Sequence, residues 1–177
     1  MDLGYGTHYE TYREEVRTFL RAHWPPSGSG ERDATAEQIR DFRREAIDAG
    51  YLYRNIPRRY GGSEQEADIL AAQIIRDEFG AVRAPTELTG QGPQMLAPTL
   101  LEWGTDWQKG QFVRKAIEGE HIWCQGYSEP GAGSDLASLR TAGELRDGEW
   151  VIHGQEIWTT HWKRAQYMFA RVRTEPE

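Results

Sequence analysis

The residues best suited to bind a ligand lie in the stretch SEPGAGSD, residues 128–135. Its two glycines let the backbone approach a ligand without a side-chain clash, and its amides and the Ser134 hydroxyl can donate hydrogen bonds to an anion or a carbonyl oxygen. Pro130 restricts the backbone, and Asp135 can accept hydrogen bonds from the loop's own amides. Ordinary turns between strands use the same residue types, and the loop by itself favours that simpler interpretation.

A second candidate is the triplet Trp158-Thr159-Thr160. In a β-strand, alternate side chains point to the same face, so Trp158 and Thr160 are predicted to place a flat ring beside a hydroxyl group. That pairing suits a planar heterocycle, although a core tryptophan beside an exposed threonine is the interpretation that the triplet favours alone. Neither stretch matches the G-x-G-x-x-G pattern of dinucleotide-binding folds.

The elements that must position these residues change in type along the chain. Up to Gly119 the apolar residues recur at helical spacing, and Pro25-Pro26 and the loop 27–33 interrupt the pattern. Thr35 with Gln38, Ser63 with Glu66, and Thr105 with Gln108 resemble helix-capping pairs. Five helices are therefore predicted, over 8–23, 35–50, 63–80, 94–103 and 105–119, the second, third and fifth ending at a glycine.

After Gly119 the apolar period changes from helical to alternating. Strands are predicted over 121–128, 136–146, 149–153, 155–160 and 165–173, with Asp147-Gly148 as a hairpin turn. The predicted fold class is α+β: an all-α helical N-terminal domain, 1–119, followed by an incomplete antiparallel β-barrel-like domain, 120–177. Because these strands would leave apolar surface and pairing groups exposed, we expect a truncated chain or a partner.

The composition excludes several classes of function. The net charge of −7 disfavours nucleic acid, since phosphate neutralisation needs clustered Lys and Arg. Cys124 is the only cysteine, and the five histidines lack metal-ligand spacing, so neither a disulfide nor a metal site is predicted. The start, MDLGYGTHYE, lacks targeting features, and no stretch approaches the roughly 20 apolar residues of a membrane span. A cytoplasmic location is the expectation.

Together the motifs resemble the acyl-CoA dehydrogenase family, flavoproteins that desaturate acyl-CoA thioesters between the α and β carbons. The resemblance rests on WCQGYSEPGAGSDLASLRT (123–141) followed by DGEWVIHGQEIWTT (147–160). PRRYGG (57–62) is similar to the family's P-x-x-Y-G-G turn, and PTLLEWGTDWQK (98–109) to its last helical segment before the β domain. The resemblance covers nearly the whole chain after about residue 35.

The resemblance implies FAD as cofactor, acyl-CoA as substrate, and electron-transfer flavoprotein or a similar protein as electron acceptor. Trp158 would pack by the isoalloxazine ring, Thr160 would hydrogen-bond near the flavin N5 that receives hydride, and Ser134 would also contact the acyl-CoA. The other residues implied to bind FAD are Gln125, Gly126, Tyr127, Ser128, Gly133 and Thr159. The family's role in fatty acid β-oxidation and its oligomeric assembly are implied in the same way.

The sequence also departs from the family. Glu156 stands where the family usually has lysine, and the bulky His161-Trp162 follow Thr160. Nothing resembles the C-terminal helical domain that provides the family's catalytic glutamate, so no catalytic residue is assigned, and the chain alone is not expected to catalyse. Two alternatives stay open: an acyl-CoA oxidase or flavin monooxygenase of the same fold, and a non-catalytic subunit that assembles with a homologue.

Overall fold

A computed structural model of the chain describes residues 6–24 and 34–174. Over these residues the helical region contains five α-helices. They are α1 (Thr7–His23), α2 (Ala36–Asp48), α3 (Ile69–Ala81), α4 (Ala97–Trp103) and α5 (Asp106–Glu118). A 3-10 turn spans Arg58–Tyr60, and a π-helical turn, Gly92–Leu96, leads into α4. The predicted Pro25-Pro26 helix stop and the loop 27–33 lie outside the described residues.

Two of the three predicted capping pairs are confirmed. The Thr35 hydroxyl accepts a hydrogen bond from the Gln38 amide at 3.2 Å, and the Gln38 side chain accepts one from the Thr35 amide at 2.8 Å. Thr105 and Gln108 repeat both bonds at the start of α5. Each pair satisfies amides that the first helical turn leaves without partners.

The third predicted cap, Ser63 with Glu66, is wrong. Helix α3 begins at Ile69, and the Asp68 carboxylate accepts a hydrogen bond from the Ala71 amide at 2.9 Å. Ser63 is 0% exposed, and its hydroxyl donates to the Leu52 carbonyl at 2.9 Å. A tertiary contact across eleven residues therefore uses the hydroxyl that the local pattern assigned to a helix end.

The helices pack around one apolar core. Aliphatic and aromatic side chains from α1, α2, α3 and α5 form it, with Val16, Phe42, Ile74, Phe79, Val113 and Ile117 almost completely buried. These residues lie on the stripes that the helical spacing predicted, because removing apolar surface from water drives each helix to bury one side. The core thus fixes the helical region that lies beside the candidate site.

The β region consists of two small sheets. Strands β2 (Ala142–Arg146) and β3 (Glu149–His153) form an antiparallel hairpin, and both residues of the predicted Asp147-Gly148 turn have positive φ, 51° and 85°. Such angles suit the tight turn of a two-residue hairpin. The predicted hairpin is therefore confirmed.

The other sheet corrects the expectation of an antiparallel barrel-like domain. Strand β1 (Trp123–Gly126) pairs in parallel with β4 (Tyr167–Ala170), in a register that joins Trp123 to Tyr167 and Gly126 to Ala170. The described residues form no closed barrel. Alternating side chains predict a strand but do not encode the direction of its partner, and the long connection between β1 and β4 permits the parallel crossover.

Aromatic side chains join the helical region to the β1–β4 sheet. Trp123 packs on Leu96 and Ala116, and its ring stacks on that of Tyr167 with centroids 4.8 Å apart. The Phe112 ring of α5 meets the Trp123 ring edge-on at 5.5 Å. This cluster holds β1, and with it the start of the candidate loop, against the helices.

Candidate functional site

The 128–135 loop is shaped by Glu129. Its backbone exchanges two hydrogen bonds with that of Ala132, at 2.7 and 3.2 Å, which closes a tight turn over Pro130 and Gly131. Glu129 is 8% exposed, and its carboxylate accepts hydrogen bonds from the Arg140 amide at 2.8 and 2.9 Å and from the Thr141 amide at 2.6 Å. The hydrogen bond from the Thr141 amide leads the interactions that lower the pKa of Glu129.

Asp135 does not have the role that the sequence suggested. Its backbone carbonyl, not its carboxylate, accepts hydrogen bonds, from the amide and hydroxyl of Ser138 at 3.3 and 2.9 Å. The carboxylate that shapes the loop is that of Glu129, and its donors are the amides of Arg140 and Thr141, which follow the loop.

The middle of the loop is open. Gly133 and Ser134 are exposed, and a Cβ added at Gly131 or Gly133 would meet no atom within 4 Å. Neither glycine has a positive φ. The fold's own packing therefore does not demand glycine at these two positions, and a ligand can approach the backbone there.

The residues just before the loop belong to the β1–β4 sheet or pack against it. Gln125 and Gly126 belong to β1, and a Cβ at Gly126 would lie 2.6 Å from the Met168 sulfur. A side chain at position 126 would therefore displace the Met168 side chain. The Tyr127 ring lies 5.7 Å from that of Phe169, and the Arg171 guanidinium lies 5.2 Å from the Tyr127 ring, within cation–π range.

The triplet 158–160 is not part of a strand. Trp158 has a φ of 55° and is 87% exposed, so the predicted alternation that placed Trp158 and Thr160 on one face is wrong. The backbone bends here because the Ile157 amide bonds to the Ser128 carbonyl at 2.7 Å instead of continuing a ladder. Trp158 and Thr159 line an open cavity of about 650 Å³, whereas Thr160 is exposed outside its lining.

The hydrogen bond from the Ile157 amide to the Ser128 carbonyl shows which of the predicted residues lie close together. Ser128, at the start of the loop, lies beside the segment that leads into Trp158 and Thr159. Gly133 and Ser134 lie further along the exposed loop, outside the cavity lining. The structure therefore joins the two motifs through a backbone hydrogen bond between Ile157 and Ser128.

Two further residues, Thr141 and Glu156, lie between the two motifs, and spacing in the sequence did not assign either a role. Thr141 is 4% exposed and contacts both Glu129 and Glu156, the latter through a hydrogen bond from its hydroxyl at 3.4 Å. Burial, together with the negative charge of Glu129, raises the pKa of Glu156. The presence of glutamate at a position where lysine is usual was the one signal in the sequence, but it did not reveal the partner.

Two searches of the described residues gave no further site. No three His, Cys, Asp or Glu side chains within 6–24 and 34–174 lie where they could hold a metal ion. Over the same residues, every helix is too short or too polar to cross a membrane.

Comparison with known proteins places the chain among acyl-CoA dehydrogenases. Acyl-CoA dehydrogenase IpdE1 of Mycobacterium tuberculosis is 36% identical over 174 residues, which cover 94% of this chain and 45% of that protein. The ChsE4–ChsE5 complex of Mycobacterium tuberculosis matches at 33% identity and a TM-score of 0.59, over 99% of this chain and 44% of that one. The Tcur3481–Tcur3483 steroid ACAD matches at 30% identity and a TM-score of 0.62, over 100% and 46%.

The chain spans about half the length of the relatives that it matches. The family model described as acyl-CoA dehydrogenase, N-terminal domain, matches residues 7–120, which include all five α-helices. This match covers about two thirds of the chain, and the 36% identity to IpdE1 extends over 94% of it. The chain belongs to the acyl-CoA dehydrogenase family.

Proposed function

We propose that this chain forms part of an FAD-dependent acyl-CoA dehydrogenase that desaturates acyl-CoA thioesters. The observation that carries the proposal is the open loop 131–134, joined by the hydrogen bond between Ile157 and Ser128 to a cavity lined by Trp158. An exposed loop whose glycines the packing does not require, linked through Ser128 to the segment that carries a large apolar ring, suits a flat cofactor with a phosphate-bearing tail.

In this proposal each predicted residue has a role in binding FAD. When bound, FAD would accept the hydride from the β carbon of the acyl-CoA. Trp158 and Thr159 provide a wall for the flavin ring, and Thr160 a hydroxyl near its edge. Tyr127, Ser128, Gly133 and Ser134 offer amides and hydroxyls along the open side, and Ser134 also contacts the acyl-CoA. Gln125 and Gly126 hold the sheet behind them. The protein's contribution is orientation and hydrogen bonding, because the cofactor supplies the redox chemistry.

The proposal assigns the base that removes the α proton to no described residue. Glu129 is the buried carboxylate within the loop, but two backbone amides donate hydrogen bonds to it and keep its pKa low. A carboxylate whose ionised form is so well stabilised is a poor proton acceptor. We therefore propose that the base belongs to other residues of the assembled enzyme.

We further propose that the chain works as an oligomer, with another copy or a second family member. Large apolar side chains lie exposed at the α4–α5 corner and on the β hairpin, namely Trp103, Trp107, Leu145, Trp150 and Ile152. Exposed apolar surface of this kind marks interfaces between proteins. The two-protein ChsE4–ChsE5 complex supports this arrangement. Electron-transfer flavoprotein as acceptor and a cytoplasmic location stay predictions.

A flavin titration tests the cofactor assignment. We expect FAD to bind with a saturable change in flavin fluorescence, and Gly133→Val to weaken binding at least tenfold without lowering the thermal unfolding midpoint, since a side chain there meets open space. Gly110→Val, on α5 and also facing open space, is the matched control that should bind FAD normally. Equal affinity of the wild type and Gly133→Val would contradict the assigned loop role.

An activity assay tests the reaction class. We expect no desaturation when purified chain, FAD, an artificial electron acceptor and acyl-CoA are mixed, and activity once the partner that supplies the base is present. The substrates tested include a short acyl-CoA and a steroid-derived acyl-CoA, because the Tcur3481–Tcur3483 relative is a steroid ACAD. Turnover by the chain alone contradicts the proposed external base. Hydrogen peroxide as the main reduced product would instead indicate an oxidase.

A further inference from the structure

Glu156 lies on the segment that carries Trp158, against the sheet behind the loop. Its Cγ is 3.2 Å from the Cβ position of Gly126, and its carboxyl accepts a hydrogen bond from the Thr141 hydroxyl at 3.4 Å. The other carboxyl oxygen, Oε2, is buried without a hydrogen-bond partner among the described residues. An ionised carboxylate left in this state is expensive, because burial strips away the water that stabilises its charge.

Glu129 makes the ionised state of Glu156 still less favourable. The Glu129 carboxylate is held in its charged form by the amides of Thr141 and Arg140, and the Thr141 side chain also lowers its pKa. Glu129 therefore stays negative while Glu156 is the member of the pair that can take a proton. Like charges that share one site cannot both ionise cheaply.

The Thr141 hydroxyl lies where it can connect the two carboxyl groups. It carries a single hydrogen, so it can donate to only one of two carboxylates. If Glu156 carries a proton, Glu156 donates to the Thr141 oxygen, and the Thr141 hydrogen becomes free for Glu129. Thr141 then accepts a hydrogen bond from Glu156 and donates one to Glu129, so two hydrogen bonds link the three side chains.

We propose that Glu156 is a positioning residue that takes up a proton more readily than an exposed glutamate and, through the Thr141 hydroxyl and Glu129, fixes the 128–135 loop against the Trp158 segment. The relevance of this link to flavin binding rests on the proposed function. The link itself is a property of the folded chain, so its test needs no flavin.

The residues around Glu156 leave room for its contact with Thr141. A Cβ at Gly154 would overlap the Thr141 side chain, so glycine at 154 allows Thr141 to reach Glu156. Apart from Glu156, the described cavity lining contains no titratable or charged side chain. Within the described residues, Glu129 is the charged group that acts on Glu156, and hydrogen bonds from the Thr141 side chain and the Ser128 backbone act in the opposite direction without outweighing burial and Glu129. Met168 and Ala170 of β4 line the same cavity as Glu156.

Carbon-13 NMR of the glutamate side chains tests the proton directly. We expect one carboxyl resonance to titrate above the ordinary glutamate pKa of 4.5, to be absent in Glu156→Gln, and to titrate lower in Glu129→Gln. If the resonance that Glu156→Gln removes titrates at or below 4.5, the proposal is wrong. Should Glu129→Gln fail to fold, the wild type and Glu156→Gln still decide the question.

Thermal unfolding across pH provides a second readout. A raised pKa in the folded chain means that Glu156 costs stability as the pH rises through that value, and none below the ordinary pKa. As the pH rises above the ordinary value of 4.5, the wild-type midpoint should therefore fall relative to that of Glu156→Gln. Glu156→Lys should behave like Glu156→Gln or better at high pH, since an ammonium group pairs with Glu129. Parallel pH profiles of wild type and Glu156→Gln would overturn the proposal, whether or not FAD binds.

Discussion

At the scale of single residues, the candidate site uses one carboxyl group as a scaffold. Glu129 lies inside the loop motif, where its position near the proposed ligand makes it look chemically active. Its carboxylate oxygens instead accept hydrogen bonds from the amides of Arg140 and Thr141, and its backbone closes the turn through hydrogen bonds with Ala132. A buried carboxylate with fixed donors holds a loop in one shape more effectively than an exposed one, because its partners cannot exchange for water.

Glu129→Gln should lower the thermal unfolding midpoint by several degrees, since the new NH₂ group faces amides that also donate. The effect should be largest at neutral pH. A lowered folded-state pKa contributes stability above the ordinary value of 4.5, and this stability is lost as the pH falls through the folded value. Glu102→Gln, at an exposed position of α4, is the control and should leave the midpoint unchanged. Equal midpoints for the two variants would show that Glu129 does not stabilise the loop.

At the scale of the elements, the turn Pro57–Gly62 shows how a short motif serves packing. Gly61 has a φ of 94°, and a Cβ there would lie 2.7 Å from the Arg114 side chain of α5. A Cβ at Gly62 would overlap the carbonyl and side chain of Ile56. The Tyr60 hydroxyl donates to Asp106 at the start of α5, at 2.8 Å. The turn therefore fastens the chain before α3 to α5, and its glycines are needed for close approach.

Gly62→Ala should lower the free energy of unfolding by about 1–3 kcal/mol, the usual cost of forcing an extra methyl group into filled space. Gly110→Ala, inside α5 where an added Cβ meets nothing, should raise it by about 0.5–1 kcal/mol through helix propensity. Chemical denaturation of both variants measures the difference. If Gly62→Ala is as stable as the wild type, the close contact with Ile56 is not rigid.

At the scale of the whole molecule, the helical region is fastened by a buried ion cluster between α1 and α3. Glu78 is 8% exposed and accepts hydrogen bonds from Arg13 at 2.6 Å and Arg17 at 2.8 Å. Burial raises the pKa of Glu78, but the hydrogen bonds from Arg17 and Arg13 outweigh it, and the net pKa is lowered. The cluster joins residues more than sixty positions apart and so stabilises the tertiary structure.

Glu78→Gln should cost roughly 2–3 kcal/mol of stability at neutral pH, somewhat less than a fully buried pair because Arg17 is half-exposed. Because the folded pKa is lowered, the wild-type advantage is present above 4.5 and disappears as the pH falls below it. Glu14→Gln, which affects exposed pairs with Arg21 and Arg17 on α1, should change stability little. A wild-type advantage that persists in acid would contradict this account.

The sequence alone determined the elements that depend on neighbouring residues. It predicted the Thr35 and Thr105 caps, the Asp147-Gly148 hairpin and the apolar stripes of the helices, because these features depend on contacts within a few positions. It also contained the motif that resembles the acyl-CoA dehydrogenase family. Tertiary structure decided the rest: the parallel pairing of β1 with β4, the bend at Trp158, the burial of Ser63, and the grouping of Glu129, Thr141 and Glu156. These features join residues that are far apart in the chain. Their geometry depends on which distant hydrogen-bond donor or apolar surface packs beside each group, and no local sequence pattern encodes that choice.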